Sequence, residues 1–178
     1  MRDCEAVLRF WFKELEPRQW FTRDERLDQL IRERFLSTYE EAKCVDPQSL
    51  TQAREALAHV IALDQFPRNM FRGTPQAFAT DDLALKIAKQ TIASGLDKQL
   101  DRFGRIFLYM PFQHSEDRDV QARSVELFAS VGDDNSLDYA RQHREIIERF
   151  GRFPHRNAVL GRASTAEELE FLKTHEGF

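Results

Sequence analysis

Two histidines and two carboxylates stand at positions where side chains that transfer protons could meet. His114 and Glu116 lie two residues apart, just before a predicted helix. His143 falls on the apolar face of another predicted helix, and Asp64 on the inward stripe of a third. A histidine can act as a general acid or base near neutral pH, with a carboxylate orienting its ring. These four residues are therefore our candidate catalytic residues.

Each of the four also has a purely structural interpretation. A lone histidine on an apolar helix face is more often a core residue than a ligand. Asp64 and Arg68 have the i,i+4 spacing of an ion pair that closes a helix end. Glu116 could favour a helix start by opposing the helix dipole. The sequence leaves both interpretations open.

The cations of the chain are mostly arginines, 20 Arg against 6 Lys. Six of the arginines lie between residues 141 and 162 with only two acids, a local charge of +4 in a chain of net charge −4. Arginine binds phosphates and carboxylates bidentately, so this segment favours an anion site. The alternatives are nucleic-acid binding, which the negative total disfavours, and internal ion pairs to acids such as Asp64 and Glu116. The candidate ligand-binding residues are Gln65, Arg68, Asn69, Arg152, His155, Arg156 and Asn157.

A metal site is a further hypothesis for the same histidines. Imidazole and carboxylate groups from His114, Glu116, His143 and His155 are adequate ligands for Zn or Fe. Their spacing across separate segments forms no ligand pattern, and neither Cys4 nor Cys44 has metal-ligand or redox spacing. We therefore assign no metal ligands and no cofactor.

The expected partner is a small anionic molecule, bound with or without acid–base catalysis, so whether the protein is an enzyme stays open. The alternative is a peptide bound along the concave surface of a helical-repeat scaffold, without catalysis. A peptide groove would expose Phe66, Phe112 and Phe153, each of which adjoins a proline. The exposure of these rings therefore separates the two hypotheses.

The elements that must position these residues are helices, because nearly every segment has the helical apolar period and little alternates like a strand. We predict one all-helical domain over residues 1–178. It would contain seven or eight antiparallel helices, stacked as hairpins into a tetratricopeptide-repeat-like superhelix or a bundle. Capping signals at Thr22, Ser115 and Ser164 begin three of these helices. The third predicted helix meets Pro67, where it either ends or continues, and Pro111 is expected to stop or kink the fifth.

A cytoplasmic location is expected from several features of the chain. No early segment has the pattern of a signal peptide, and no run of 18 apolar residues could span a membrane. Two unpatterned cysteines fit a reducing compartment better than a disulfide framework. The oligomeric state is not predictable from these features.

Three long motifs carry a resemblance to a known family. They are Leu-Asp-Gln-Phe-Pro-Arg-Asn at 63–69, followed by Arg-Gly-Thr at 72–74; Phe-Leu-Tyr-Met-Pro-Phe-Gln-His-Ser-Glu-Asp at 107–117; and Arg-Phe-Gly-Arg-Phe-Pro-His-Arg-Asn at 149–157, followed by Leu-Gly-Arg at 160–162. With residues 7–12 and Trp20-Phe21, they resemble the bacterial family called domain of unknown function 924 over almost the whole chain. The resemblance implies an all-helical fold similar to tetratricopeptide-repeat superhelices, and it implies no activity. The polar residues singled out above lie largely in these motifs, which favours a shared site or a shared structural network.

Overall fold

The structure is a computed structural model that describes residues 1, 3–175 and 177. Within these residues every regular element is helical and no strand occurs, which confirms the all-α class. Two α-helical sections and the π-helical turn between them follow one another without a break from Ala53 to Met70, and we count them as one helix. Counted in this way, the described residues form eight helices. They are α1 (Cys4–Arg9, continued by the π-helical turn Phe10–Glu14), α2 (Glu25–Ala42), α3 (Ala53–Val60, π-helical Ile61–Gln65, Phe66–Met70), α4 (Asp81–Ala93), α5 (Arg102–Gln113), α6 (Arg118–Val131), α7 (Asp134–Phe150) and α8 (Ala166–Leu172).

The chain divides into two compact units. Unit 1 comprises Met1–Arg72 and Gln76–Pro111, and unit 2 comprises Gly73–Pro75 and Phe112–Phe178. The single domain over residues 1–178 stays a prediction. No helix in the described part of the chain is both long and apolar enough to cross a membrane.

Unit 1 is built on an aromatic core. Phe66 from α3 packs edge-on to Trp11 of α1 at 5.7 Å between ring centroids and lies 4.8 Å from Phe35 of α2. Phe107 of α5 lies 5.5 Å from Trp11 on another side. All four rings are buried, so the apolar stripes of the sequence account for them.

The proline in the first motif does not end its helix. A proline lacks the N–H that bonds to the carbonyl four residues earlier, and its ring crowds that carbonyl. In α3 the π-helical turn Ile61–Gln65 widens the backbone directly before Pro67. The carbonyl of Leu63 instead accepts a hydrogen bond from the Thr80 hydroxyl. The helix therefore continues through Pro67 to Met70.

Unit 2 begins with two helices joined by a short connection. α6 ends at Gly132, whose φ of 75° is left-handed, and Asp133 caps α7 by accepting the Ser136 N–H at 3.0 Å. α7 ends at Gly151, again with a left-handed φ of 71°. Ile147 of α7 is fully buried and belongs to a small apolar core that includes Phe153.

Three helix starts differ from the predictions. α2 is capped by Asp24, α6 by Asp117 and α8 by Thr165, whereas the predicted caps were Thr22, Ser115 and Ser164. In each case the true cap lies one or two residues further along the chain. Its side chain accepts the N–H two or three residues ahead, which satisfies an unpaired donor of the first turn. α5 continues past Pro111 to Gln113.

Candidate functional site

The predicted site residues fall into two groups, one in each unit. Asp64, Gln65, Arg68 and Asn69 belong to unit 1. His114, Glu116, His143, Arg152, His155, Arg156 and Asn157 belong to unit 2.

The unit 1 group centres on the fully buried carboxylate of Asp64. Arg68 lies 3.5 Å from this carboxylate and pairs bidentately with Asp81 at 2.8 and 2.9 Å, while Gln65 donates its amide to Asp64. The i,i+4 pair of Asp64 and Arg68 is thus present, and Asp81 is a partner that sequence analysis missed. Burial lowers the pKa of Arg68, but the charges of Asp64 and Asp81 outweigh that effect and raise it, so the guanidinium stays charged. This network closes the end of α3 against the start of α4.

Asn69 belongs to a neighbouring network in the same unit. Its amide donates to Asp28 of α2 at 2.8 Å, and Arg72 pairs bidentately with the same carboxylate at 2.7 and 2.8 Å. Both donors are therefore engaged with α2. Asp28 is an acid in the first turn of α2, and the first motif contains two side-chain donors, Asn69 and Arg72. This combination was the sequence signal that could have identified Asp28 as their partner.

Glu116 joins the second and third motifs within unit 2. Its carboxylate pairs bidentately with Arg162 at 2.7 and 3.0 Å and accepts the Phe153 N–H at 2.8 Å. Burial raises the pKa of Glu116, but these hydrogen bonds and the charges of Arg162 and Arg156 outweigh it and lower the pKa overall. Because three hydrogen bonds occupy both oxygens, Glu116 is an anchor for the 153–162 loop. Sequence analysis placed Arg162 in a motif but gave it no role.

The other arginines of the 141–162 segment mostly meet carboxylates of the chain itself. Arg152 pairs bidentately with the buried Glu168 at 2.7 and 2.8 Å and donates to the Ala163 carbonyl. Hydrogen bonds from Arg152 and from the Thr165 amide lower the pKa of Glu168 to about 2, against the effect of burial. Further ion pairs join Arg149 to Glu167 and Arg144 to Glu148. The local excess of positive charge is therefore largely neutralised inside unit 2.

Asn157, predicted to bind a ligand, lies at the base of this loop. It is fully buried, and its amide donates to the Ser164 hydroxyl at 3.0 Å. Its carbonyl also accepts the Arg162 N–H at 2.8 Å. These contacts fix the turn that carries Arg162, and a ligand role for Asn157 stays a prediction.

Three basic side chains, those of His143, His155 and Arg156, lie against the buried ring of Phe153, and the His114 ring lies beside that of His143. We call these four residues the basic cluster. The imidazoles of His143 and His155 lie 5.7 and 5.6 Å from the Phe153 centroid. The Arg156 guanidinium carbon stacks 4.5 Å above the same ring, and its Nη1 donates to the His114 carbonyl at 3.0 Å. The rings of His114 and His143 are 6.3 Å apart. The structure thus brings together three histidines that come from separate segments.

His143 occupies the most perturbed position of this cluster. Burial and the positive charges of His114, Arg156 and His155 lower its pKa to about 3. Its Nδ1 lies 2.7 Å from the Tyr139 carbonyl, which can only accept, so Nδ1 carries the ring proton. His143 is therefore a neutral imidazole at physiological pH, with its Nε2 lone pair unprotonated.

The three phenylalanines that separate the ligand and peptide hypotheses are all buried. Phe66 and Phe153 have no exposed surface, and Phe112 is 3% exposed. These rings pack in the cores of their units, which disfavours a peptide groove lined by them.

A cleft of about 300 Å³ opens elsewhere, in unit 1. Its walls include the ion-paired Glu14 and Arg34, together with Asp24 and Arg26. None of the predicted site residues lines it. It brings together no histidine and carboxylate, so it offers no acid–base pair.

Metal-binding distances occur at a place that sequence analysis did not single out. Among the described residues, the group whose ligand atoms lie close enough to share an ion is Cys4, Glu55 and His59, all in unit 1. The sequence signal was the i,i+4 spacing of Glu55 and His59 on α3, which places both side chains on one helix face.

The fold and these polar networks define an all-α protein of two helical units whose sequence motifs are held by internal ion pairs. The chain belongs to the family described as bacterial protein of unknown function, DUF924, whose model matches residues 7–176. A similar solved structure is that of the protein of unknown function ATU0120 from Agrobacterium tumefaciens. It is 39% identical, with a TM-score of 0.91 and 97% of each chain covered. None of the curated proteins compared with the chain matches it.

Proposed function

We propose that unit 2 binds a small molecule bearing a phosphate or carboxylate group, held by the basic cluster. The observation that carries this proposal is that His143, His155 and Arg156 lie around Phe153, with His114 beside His143. Burial is the main cause of the lowered pKa of His143, and the positive charges of His114, Arg156 and His155 lower it further, because basic groups this close repel one another when charged. Perturbed titratable groups collected in one place are typical of functional sites, and an anion would relieve their repulsion.

The chemistry of the cluster suits recognition of an anion. Arg156 supplies a permanently charged donor, and the imidazoles of His114 and His155 supply N–H groups for directional hydrogen bonds. His143 already donates its N–H to the Tyr139 carbonyl, so it shapes the site and does not donate to the anion. Arg152 is held by Glu168, and Arg68 by Asp81, so we leave both out of the proposed site. The ligand set is therefore narrower than the one predicted from the sequence.

Catalysis is not part of the proposal. A general base works best when its pKa lies near the working pH, and a pKa of about 3 makes His143 a weak base at pH 7. Glu116, the carboxylate expected to orient a histidine, is bound to Arg162 and to the Phe153 amide. The geometry therefore supports binding better than proton transfer.

The broader predictions remain alongside this proposal. A tetratricopeptide-repeat-like superhelix, a peptide-binding role and a cytoplasmic location stay predictions. The buried Phe66, Phe112 and Phe153 weaken the case for a peptide groove. The ion pairs of Arg144, Arg149, Arg152 and Arg162 weaken the case for nucleic-acid binding.

Thermal unfolding with inorganic phosphate, phenyl phosphate and succinate tests the proposal. A ligand at a concentration of about 100 times its Kd stabilises a folded protein by about 2.7 kcal/mol. For a chain of this size, that raises the Tm by about 5 °C or more. We expect such a shift for the wild type and for Arg123→Gln, which removes an exposed arginine paired with Glu126. His114→Ala and Arg156→Gln should lose the shift, each measured against its own ligand-free Tm. Stabilisation by none of the anions, or equal stabilisation of all four proteins, would contradict the proposal.

A further inference from the structure

A second cluster of polar side chains lies in unit 1, between the start of α1 and the first half of α3. One ring nitrogen of His59, the Cys4 sulfur and a carboxylate oxygen of Glu55 all lie within 4.8 Å of one another. α1 supplies Cys4, and one face of α3 supplies Glu55 and His59. The group therefore joins two helices that lie about 50 residues apart in sequence.

The hydrogen bonds of His59 show which of its two ring nitrogens has no partner among the described residues. The side chain is 1% exposed, and its Nδ1 lies 2.9 Å from the Glu55 carbonyl, which only accepts hydrogen bonds. Nδ1 therefore carries the proton, and Nε2 keeps a lone pair. No hydrogen-bond donor in the described part of the chain reaches Nε2. Buried polar atoms are nearly always partnered, so this lone pair points to a ligand.

The hydrogen bond to the Glu55 carbonyl is itself characteristic of a metal-binding histidine. A histidine that binds a metal through one nitrogen usually donates the other N–H to a carbonyl or a carboxylate, which fixes the tautomer and the ring orientation. His59 already has this tautomer and this orientation. Binding through Nε2 would need no change in its backbone contact.

We propose that Cys4, Glu55 and His59 bind a divalent transition-metal ion, with Zn²⁺ as the best match. The donor set of one sulfur, one nitrogen and one oxygen is the set that Zn²⁺ accepts, whereas Ca²⁺ and Mg²⁺ require oxygen. A thiolate and a carboxylate carry two negative charges, which a divalent cation neutralises. Three protein ligands leave a fourth position for water in a tetrahedral site.

Binding exchanges one proton for the metal. The Cys4 thiol donates to the Met1 carbonyl at 3.8 Å, and on binding it loses its proton to solvent as the sulfur–metal bond forms. Ligand atoms of a tetrahedral zinc site lie about 3.3–3.6 Å apart. Atoms as far apart as 4.8 Å must therefore close in by about 1.5 Å. Side-chain rotation of Cys4 and Glu55, neither of which is fully buried, can supply that movement.

Titration of untagged, chelator-treated protein with Co²⁺ tests the site directly. Thiolate ligation gives a sulfur-to-cobalt charge-transfer band, and tetrahedral geometry gives intense visible bands. We expect both with the wild type at one Co²⁺ per chain, and we expect Zn²⁺ to displace the Co²⁺. Cys4→Ser should abolish the charge-transfer band. Glu55→Gln and His59→Asn should each weaken Zn²⁺ binding by at least about 100-fold, because loss of a residue that merely contacts a metal ligand already weakens binding by up to about that factor.

Two controls make the outcome decisive. Cys44→Ser removes the exposed second cysteine, and His114→Ala removes a ring of the basic cluster; both should keep the wild-type spectrum. Absence of the band in the wild type would overturn the proposal, as would its persistence in Cys4→Ser. Loss of the band in Cys44→Ser or in His114→Ala would place the metal elsewhere. Because this site shares no residue with the basic cluster, neither proposal depends on the other.

Discussion

Glu116 shows at the level of one residue how a motif acid can serve structure instead of proton transfer. It accepts two hydrogen bonds from Arg162 and one from the Phe153 amide, so it ties α6 to the loop that carries the basic cluster. Charged hydrogen bonds of this kind contribute more to stability than neutral ones.

Glu116→Gln should therefore destabilise the protein, because the variant keeps the shape of the side chain but leaves Arg162 without its counter-charge. We expect a loss of about 2 kcal/mol in the free energy of unfolding, measured with urea. The matched control is Glu126→Gln, which breaks the exposed pair with Arg123 and should cost no more than about 0.5 kcal/mol. Equal effects of the two substitutions would show that Glu116 is not an anchor.

Because of His143, the folded protein should lose stability as the pH falls. Its pKa is about 3 in the folded protein and about 6.5 when unfolded, so between these values the unfolded chain binds the extra proton. The contribution of His143 is therefore intact above pH 6.5 and decreases as the pH falls toward 3.

Urea unfolding at pH 7.5 and pH 5 measures this effect against His143→Asn, whose amide can still donate to the Tyr139 carbonyl. The wild type should lose about 2 kcal/mol more than the variant between the two pH values, since 1.5 pH units correspond to about that energy. Parallel pH profiles of the two proteins would exclude a lowered pKa at His143.

At the scale of the helix, α3 depends on a contact from a distant part of the sequence. The Thr80 hydroxyl replaces the N–H that Pro67 lacks, by donating to the Leu63 carbonyl. Thr80 caps α4 by position, as the sequence predicts, but its hydroxyl is not used for that cap. No local pattern reveals this, because the two residues that cooperate lie 17 positions apart.

Thr80→Val should leave the Leu63 carbonyl buried without a donor, and we expect it to cost about 2 kcal/mol of unfolding free energy. Thr91→Val is the matched control, since Thr91 is also buried and also donates to a carbonyl, that of Ile87 in its own helix. In this control the Ile87 carbonyl still accepts the backbone N–H of residue 91 in the helix. The substitution should therefore lower the free energy of unfolding by less than about 1 kcal/mol. A control as costly as Thr80→Val would remove the special role of Thr80.

Helix faces were predictable from the sequence, whereas helix ends and charge partners were not. The 3.6-residue period placed Val60, Ile61 and Ile147 in the cores, because packing of an apolar stripe needs no information beyond the pattern. The sequence did not decide whether α3 continues past Pro67, since the hydroxyl that compensates for the proline comes from the distant Thr80. The pairing of Glu116 with Arg162 spans 46 positions, and in an arginine-rich segment the spacing alone does not select the partner.

At the scale of the whole molecule, unit 2 holds Glu116, His143 and Glu168, whose pKa values are lowered in the folded protein. Hydrogen bonds with Arg152 and Arg162 lower the pKa values of Glu168 and Glu116, so their stabilisation is present above about pH 4.5 and lost below it. His143 acts in the same direction from pH 6.5 downward. In unit 1, Glu5 and Glu14 have lowered pKa values but are exposed, and burial lowers the pKa of His59, which acts in the same direction.

Hydrogen exchange measured by mass spectrometry should therefore show that unit 2 opens first as the pH falls. After correction for intrinsic exchange rates, peptides from α7 should lose protection at a higher pH than peptides from α2. Simultaneous loss of protection, or earlier loss in α2, would contradict this distribution of acid-sensitive groups.

The central claim, that the basic cluster binds an anion, is tested most directly by NMR of the imidazole nitrogens. The chain has five histidines, of which His59 and His175 lie outside the cluster and serve as internal references. With added phosphate or succinate, our account predicts saturable shifts of the His114, His143 and His155 signals with one common Kd, while His59 and His175 stay unchanged. Unchanged signals from the three cluster histidines with both anions, or equal shifts of all five histidines, would contradict it.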